Sequence, residues 1–231
     1  MAVRAASTRK QSRRKYQADD LMERIICAGL SLTRAGGLSE VTAANVARAV
    51  QVREQALVNL VGGIYQLRDW ITVRALRDLT EHLAQAINGL TGRDALEAFV
   101  STQRLYAQAH PHMHEAALVR ITILTPDALE AMEAYGALEL DILKTYGVPA
   151  THAATLGWCL RAMVRGATAL EAADRLTRPH EIDQNFEQLC ALYEAAATSG
   201  ASARPRRQQN VAQKRKSPIV DITFRERPAL G

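Results

Sequence analysis

The chain has 231 residues, 48% of them apolar, enough to build the core of one or two domains. Its net charge of +5 is unevenly spread: residues 1–16 hold Arg4, Arg9, Lys10, Arg13, Arg14 and Lys15 with no acid, residues 198–231 hold eight Lys/Arg against Asp221 and Glu226, and residues 17–197 keep 15 basic and 22 acidic residues. An acidic body with two basic ends excludes a uniformly basic nucleic-acid binder. The lack of an 18-residue apolar run, or of an apolar segment behind the charged N-terminus, argues against a spanning helix and a secretory signal and predicts a cytoplasmic, nucleoid-associated protein.

Residues 1–17 read as a basic flexible arm. From residue 18 to 197 Ala, Leu and Glu dominate at helical spacing and alternating β-rich runs are scarce, which predicts an all-α fold of about nine helices. The first runs from about Asp19 to Ala35, with Asp20 and Glu23 spaced as a capping box and Gly36-Gly37 as its stop. Thr42 suits the N-cap of a second helix whose Val46 and Val50 face inward, and a third follows from about Arg53 to Val61, ending at Gly62-Gly63. A fourth spans about Tyr65 to Asn88. Asp94 with Glu97 predicts the cap of a fifth, which ends near His110-Pro111, and a sixth covers about His112 to Leu124. Thr125-Pro126 opens a seventh, reaching Gly147; Pro149 opens an eighth, reaching about Arg175; a ninth covers about Ile182 to Ala197. The last two carry more apolar residues than one face needs, which predicts burial against a partner as well as their own core. From residue 198 periodicity is lost and a disordered basic tail is expected, with Pro218 to Phe224 as a short apolar segment that would suit docking on a protein partner.

Two short helices joined by a tight turn between Thr42 and Leu67 have the layout of a helix-turn-helix, which offers one helix to the DNA major groove. The outward face of the third helix holds Arg53, Glu54, Gln55 and Asn59, suited to guanine, cytosine and adenine edges, and Thr42 lies at the start of the second. Arg13, Arg14 and Lys15, next to the first helix, are placed to enter a neighbouring minor groove. The odd, widely spaced Cys27, Cys159 and Cys190 read as buried free thiols. His110, His112 and His114 have no Cys or tightly spaced carboxylate beyond Glu115, so they read as a helix start or pocket wall, with no metal and no cofactor expected. Neither a nucleophile elbow, a P-loop nor a metalloprotease motif occurs, and the expectation is not an enzyme.

The segment Ala28-Gly29-Leu30-Ser31-Leu32 up to Gly36-Gly37, then Thr42 to Ala49, then Gln51-Val52 through Leu57 to Leu67, resembles the DNA-binding head of the TetR/AcrR family of bacterial transcriptional regulators. Tyr106, His110-Pro111-His112, Leu160 to Gly166, Leu170-Glu171 and Phe186 resemble, more loosely, one branch of its C-terminal domains. The pattern departs where the family's turn glycine is Gln51, its tyrosine Val58, its histidine Leu60, its phenylalanine Val61 and its lysine Ile64. The resemblance implies a head at 18–71, a ligand-binding and dimerisation domain at 72–197, a homodimer through the last two long helices and a palindromic DNA operator. It also implies a repressor released by a small apolar effector, in a pocket lined by Leu105, Tyr106, His110, Met113, Leu124, Tyr135, Trp158 and Met163. The departures leave open a second reading, a degenerate protein of this fold that no longer reads DNA sequence and acts through a protein partner.

Overall fold

The Ala- and Leu-rich body folds as helices throughout the computed structural model, which describes residues 20–173 and 179–202; among these there is no strand. Helix α1 covers residues 20–36. After a 3-10 turn at Leu38–Glu40 come α2 (Ala43–Val50), α3 (Glu54–Val61), α4 (Ile64–Ile87), α5 (Gly92–Ala109), α6 (Pro111–Ala117), α7 (Pro126–Thr145), α8 (Ala150–Ala172) and α9 (Pro179–Ser202).

Helices of eight residues such as α2 and α3 are too short to persist alone in water. They are held by an apolar cluster of Ile25, Val41, Val46, Val50, Leu57, Val61, Leu67 and Ile71. Burying each such side chain contributes roughly 1.5–3 kcal/mol. Helix α1 lies close against α4 because residue 29 is glycine: a Cβ there would collide with Cδ1 of Ile71. Beyond Ile71, α4 turns its apolar face to a second and larger cluster. Val73, Leu79 and Leu83 of α4 meet Phe99 of α5, Ile142 and Leu143 of α7, Leu160 of α8 and Tyr193 of α9 there. One rigid rod therefore serves both cores.

Helix starts marked by side-chain caps fall where the sequence predicts them. Thr42 Oγ1 accepts from Asn45 N at 3.1 Å, and Thr125 Oγ1 accepts from Ala128 N at 3.2 Å with Pro126 opening α7. Four expectations need correction. Asp94 does not cap α5, which begins at Gly92; the Gly92 N–H donates to Thr145 Oγ1 at 2.9 Å, and Glu97 pairs with Arg93 at 2.5 Å. Helix α6 ends at Ala117, not Leu124, because the chain beyond it is drawn onto α4: the N–H groups of Thr122 and Ile123 donate to the two carboxylate oxygens of buried Asp69 at 3.0 and 2.8 Å. The cysteines are free, but only Cys190 is buried; Cys27 is exposed on α1 and Cys159 is half-buried on α8. The disordered tail expected from residue 198 does not begin there, because α9 continues to Ser202. Asp20 is already helical, and residue 19, where the first helix is expected to begin, lies outside the described residues, as do the arm and the chain from 203.

Candidate nucleic-acid interface and ligand cleft

The turn between α2 and α3 is built on backbone geometry. Gln51 has φ +60°, a left-handed conformation that costs a side-chain-bearing residue about 1 kcal/mol. Gln51 N and Val52 N close the end of α2 by donating to Arg48 O and Ala47 O at 3.3 and 3.0 Å. Arg53 then stands in extended conformation at the start of α3, which leaves its exposed side chain at the leading end of that helix. Leu57 and Val61 turn inward, while Glu54, Gln55 and Asn59 face solvent. Gln55 Nε2 donates to Asn59 Oδ1 at 3.0 Å, one turn apart, so the two amides form one polar patch.

The departures from the family pattern have a local reason. Leu60 and Ile64 pack against the core of the first cluster, and Val61 is within it. They trade polar reach for burial. Two groups that sequence reasoning missed stand at the rim: Arg48, exposed on α2, and Tyr65, 69% exposed in the first turn of α4. No side chain caps that 24-residue helix, so its positive end is open to an anion. Thr42 is half-buried and engaged as an N-cap. Arg13, Arg14 and Lys15 lie outside the described residues. Between residues 20 and 71 five arginines balance five acids, so this module has no net charge.

In the second cluster the expected pocket residues divide into groups. Tyr106 is buried on α5; its hydroxyl donates to Asp78 Oδ2 at 2.5 Å, and burial, then Asp78, push its pKa up. His110 packs edge-on to the Tyr106 ring, 5.2 Å between centroids. Met113 is core, Met163 packs against the core half-buried, and Leu105 is 62% exposed. Tyr135, Leu124 and Trp158 are brought together, with Met132, along a cleft of about 660 Å³ between α4, the α6–α7 connection, α7 and α8.

The cleft also holds three arginines that sequence reasoning missed: Arg120, Arg161 and Arg165. Their signal was the spacing of Arg161 and Arg165, which puts both on one face of α8. Arg161 is clamped by Glu139, with bonds of 3.1 and 2.6 Å, and its guanidinium carbon stands 5.1 Å from the Tyr135 ring centre. Glu139 is buried, which raises its pKa despite the arginine. The Tyr135 hydroxyl donates to Gln103 Oε1 at 3.2 Å, and the Gln103 amide meets His114 Nε2 at 3.4 Å. Burial, then the charge of Arg165, lower the His114 pKa to about 4, so this imidazole is neutral at physiological pH. His110 and His114 both lie against the Tyr106 ring, at 5.2 and 6.4 Å between centroids, and no cluster of His, Cys, Asp and Glu among the described residues has the grouping of a metal site.

Residues 96–193 match the family described as the tetracyclin repressor-like C-terminal domain. A curated relative, the HTH-type transcriptional regulator YobS of Bacillus subtilis (strain 168), is 24% identical over 159 residues, 68% of this chain and 82% of YobS. Among solved structures, a protein of unknown function from Rhodococcus sp. RHA1 aligns with a TM-score of 0.62 at 17% identity, over 76% of this chain and 94% of that one. ActR from Streptomyces coelicolor, a TetR family protein in complex with (S)-DNPA, aligns at 0.57 and 18% identity, over 78% and 97%. These structures share the helical fold.

Proposed function

We infer that this chain, which belongs to the TetR family of helix-turn-helix transcriptional regulators, acts as a dimeric repressor that leaves its operator when a small molecule fills the cleft of the C-terminal domain. The observation that carries the reading is the polar face of α3, where Arg53, Glu54, Gln55 and Asn59 stand exposed over a buried Leu57–Val61 ridge. In the major groove Arg53 suits the guanine O6/N7 pair, Gln55 or Asn59 suits adenine, and Glu54 suits the cytosine amine. Arg48, Tyr65 and the open start of α4 grip phosphate beside it, and Thr42 joins them. The basic arm, with Arg13, Arg14 and Lys15, supplies the long-range attraction that the head at 18–71, with five arginines against six acids, lacks.

Dimerisation through α8 and α9 is supported by Leu170 and Leu192, which are 49% and 65% exposed on those helices. A two-fold pair sets its two α3 helices about one turn of DNA apart, roughly 34 Å, on a palindrome. Release needs a ligand that binds another spacing more tightly. The route offered is short: the cleft wall at 121–122 belongs to the loop that Asp69 holds, and Asp69 is on α4 between Leu67 and Ile71 of the head. Tyr135 and Trp158 contact the ligand directly. Tyr106, His110, Met113 and Met163 back the walls of that domain.

Arg53→Ala is expected to weaken binding to operator DNA about tenfold to hundredfold, the value of one bidentate base contact, while binding to random DNA changes little. Electrophoretic or anisotropy titration of both DNAs checks this. Equal loss on the two would remove Arg53 as a base reader.

A further inference from the structure

Among the described residues, the cations of the C-terminal domain are paired with carboxylates, with two exceptions. Between residues 72 and 173 the cations are Arg74, Arg77, Arg93, Arg104, Arg120, Lys144, Arg161 and Arg165. Arg74, Arg77, Arg93, Arg104, Lys144 and Arg161 each have a carboxylate within 3.3 Å. Arg120 and Arg165 have none among the described residues, and both line the same cleft. No carboxylate lines that cleft, although the chain between 17 and 197 is acidic overall. Arg165 spends one donor on the carbonyl of Leu118, 2.8 Å away, which fixes its guanidinium beside the loop that carries Arg120. Apart from Thr122 and Arg161 the rest of the lining is apolar or aromatic, with Leu76, Ile121, Leu124, Met132 and Trp158.

We propose that the cleft takes an organic monoanion, an apolar or aromatic body bearing one carboxylate, with the carboxylate between Arg120 and Arg165 and the body against Leu124, Met132 and Trp158. This deepens the repressor reading above, on which it rests for the role of the cleft. A cation has no acid to meet there. A neutral apolar molecule of the same shape leaves two guanidiniums without a counter-charge beside an apolar surface. A small inorganic anion leaves most of about 660 Å³ unfilled. Arg161 is held by Glu139 and contributes its field, not a free fork. Guanidinium–carboxylate pairs in a partly desolvated site are among the stronger polar contacts a protein makes.

The test uses the full chain and three matched pairs of probes, benzoate, 2-naphthylacetate and decanoate, each with its primary amide. Affinity is read by calorimetry in wild type, R120Q, R165Q and the double variant. At least one acid is expected to bind about tenfold or more tighter than its amide, the effect of a charge-assisted contact. The double variant is expected to reduce that acid to the affinity of its amide and to leave the amide unchanged. Because R165Q removes the bond to Leu118 O, urea unfolding of each variant is the control for folding. Acids and amides bound equally by wild type, no binding of any probe, or an acid preference that survives in R120Q/R165Q would each overturn the proposal. Operator binding is measured in the same samples without probe. A protein that binds operator but ignores every acid retains the repressor reading and loses this one; a protein that binds an acid through these arginines but not operator does the reverse.

Discussion

Replacing Arg161 by methionine is expected to destabilise the chain by about 3–5 kcal/mol at neutral pH, the cost of leaving a buried charge without its partner. The two ends of the Glu139–Arg161 pair are not equivalent. The Glu139 side chain is 3% exposed and that of Arg161 41%. A Cβ on Gly157 of α8 would stand only 3.2 Å from Glu139 Oε2, so the carboxylate is packed against that helix. Glu139→Gln therefore costs less, about 1 kcal/mol, because the released arginine turns to solvent. The pH dependence follows from the direction of the shift. Burial already holds the Glu139 pKa above its ordinary value, and loss of Arg161 raises it further. A carboxyl with a raised folded pKa keeps its proton longer in the folded than in the unfolded state, so its contribution to stability falls as pH rises from about 4.3 through the folded pKa. The R161M variant should recover part of its loss between pH 7 and pH 5. Urea unfolding at both values checks this. A loss that is the same at pH 5 and pH 7, or E139Q more damaging than R161M, would contradict the assignment.

Removing residues 1–16 is expected to weaken binding to all DNA by about a hundredfold to a thousandfold near physiological salt, and to flatten the slope of log K against log salt by about three to five. The six basic residues of the arm are the reason: they adjoin in sequence a segment, 20 to 71, in which five arginines only offset five acids. Because phosphates carry no sequence, operator and random DNA should lose affinity in parallel. A slope unchanged by the deletion would show that the arm does not touch phosphate, and the attraction would then have to come from the basic residues beyond 203.

The contrast between these two predictions marks what the sequence makes legible. The helices between residues 20 and 71 are legible because their determinants are local. Thr42 caps α2 through a residue three places on, and Val46, Val50, Leu57 and Val61 repeat at helical spacing. Charge along the arm is likewise a linear property. The lengths of α5 and α6 were not readable, because each is set from 53 residues away: Thr145 holds the first residue of α5, and Asp69 pulls the chain out of helix after α6. The cleft was least visible. Tyr135, Leu124 and Trp158 were singled out as apolar lining, but the meaning of Arg120 and Arg165 lies in the absence of carboxylate neighbours, which only the packing reveals. The same holds for Leu60 and Ile64, which read as lost contacts in the sequence and as core packing in the fold.

The central claim, that α3 reads a DNA sequence, is tested most directly by fluorescence anisotropy of the purified protein with DNA from upstream of its own gene and a scrambled control, each across a salt series. The account predicts tight binding to the native probe alone, with a preference for it that persists as salt rises while the overall affinity of both falls. Weak and equal binding to the two probes would contradict it and would direct attention to a protein partner, with residues 218–224 as the first segment to test.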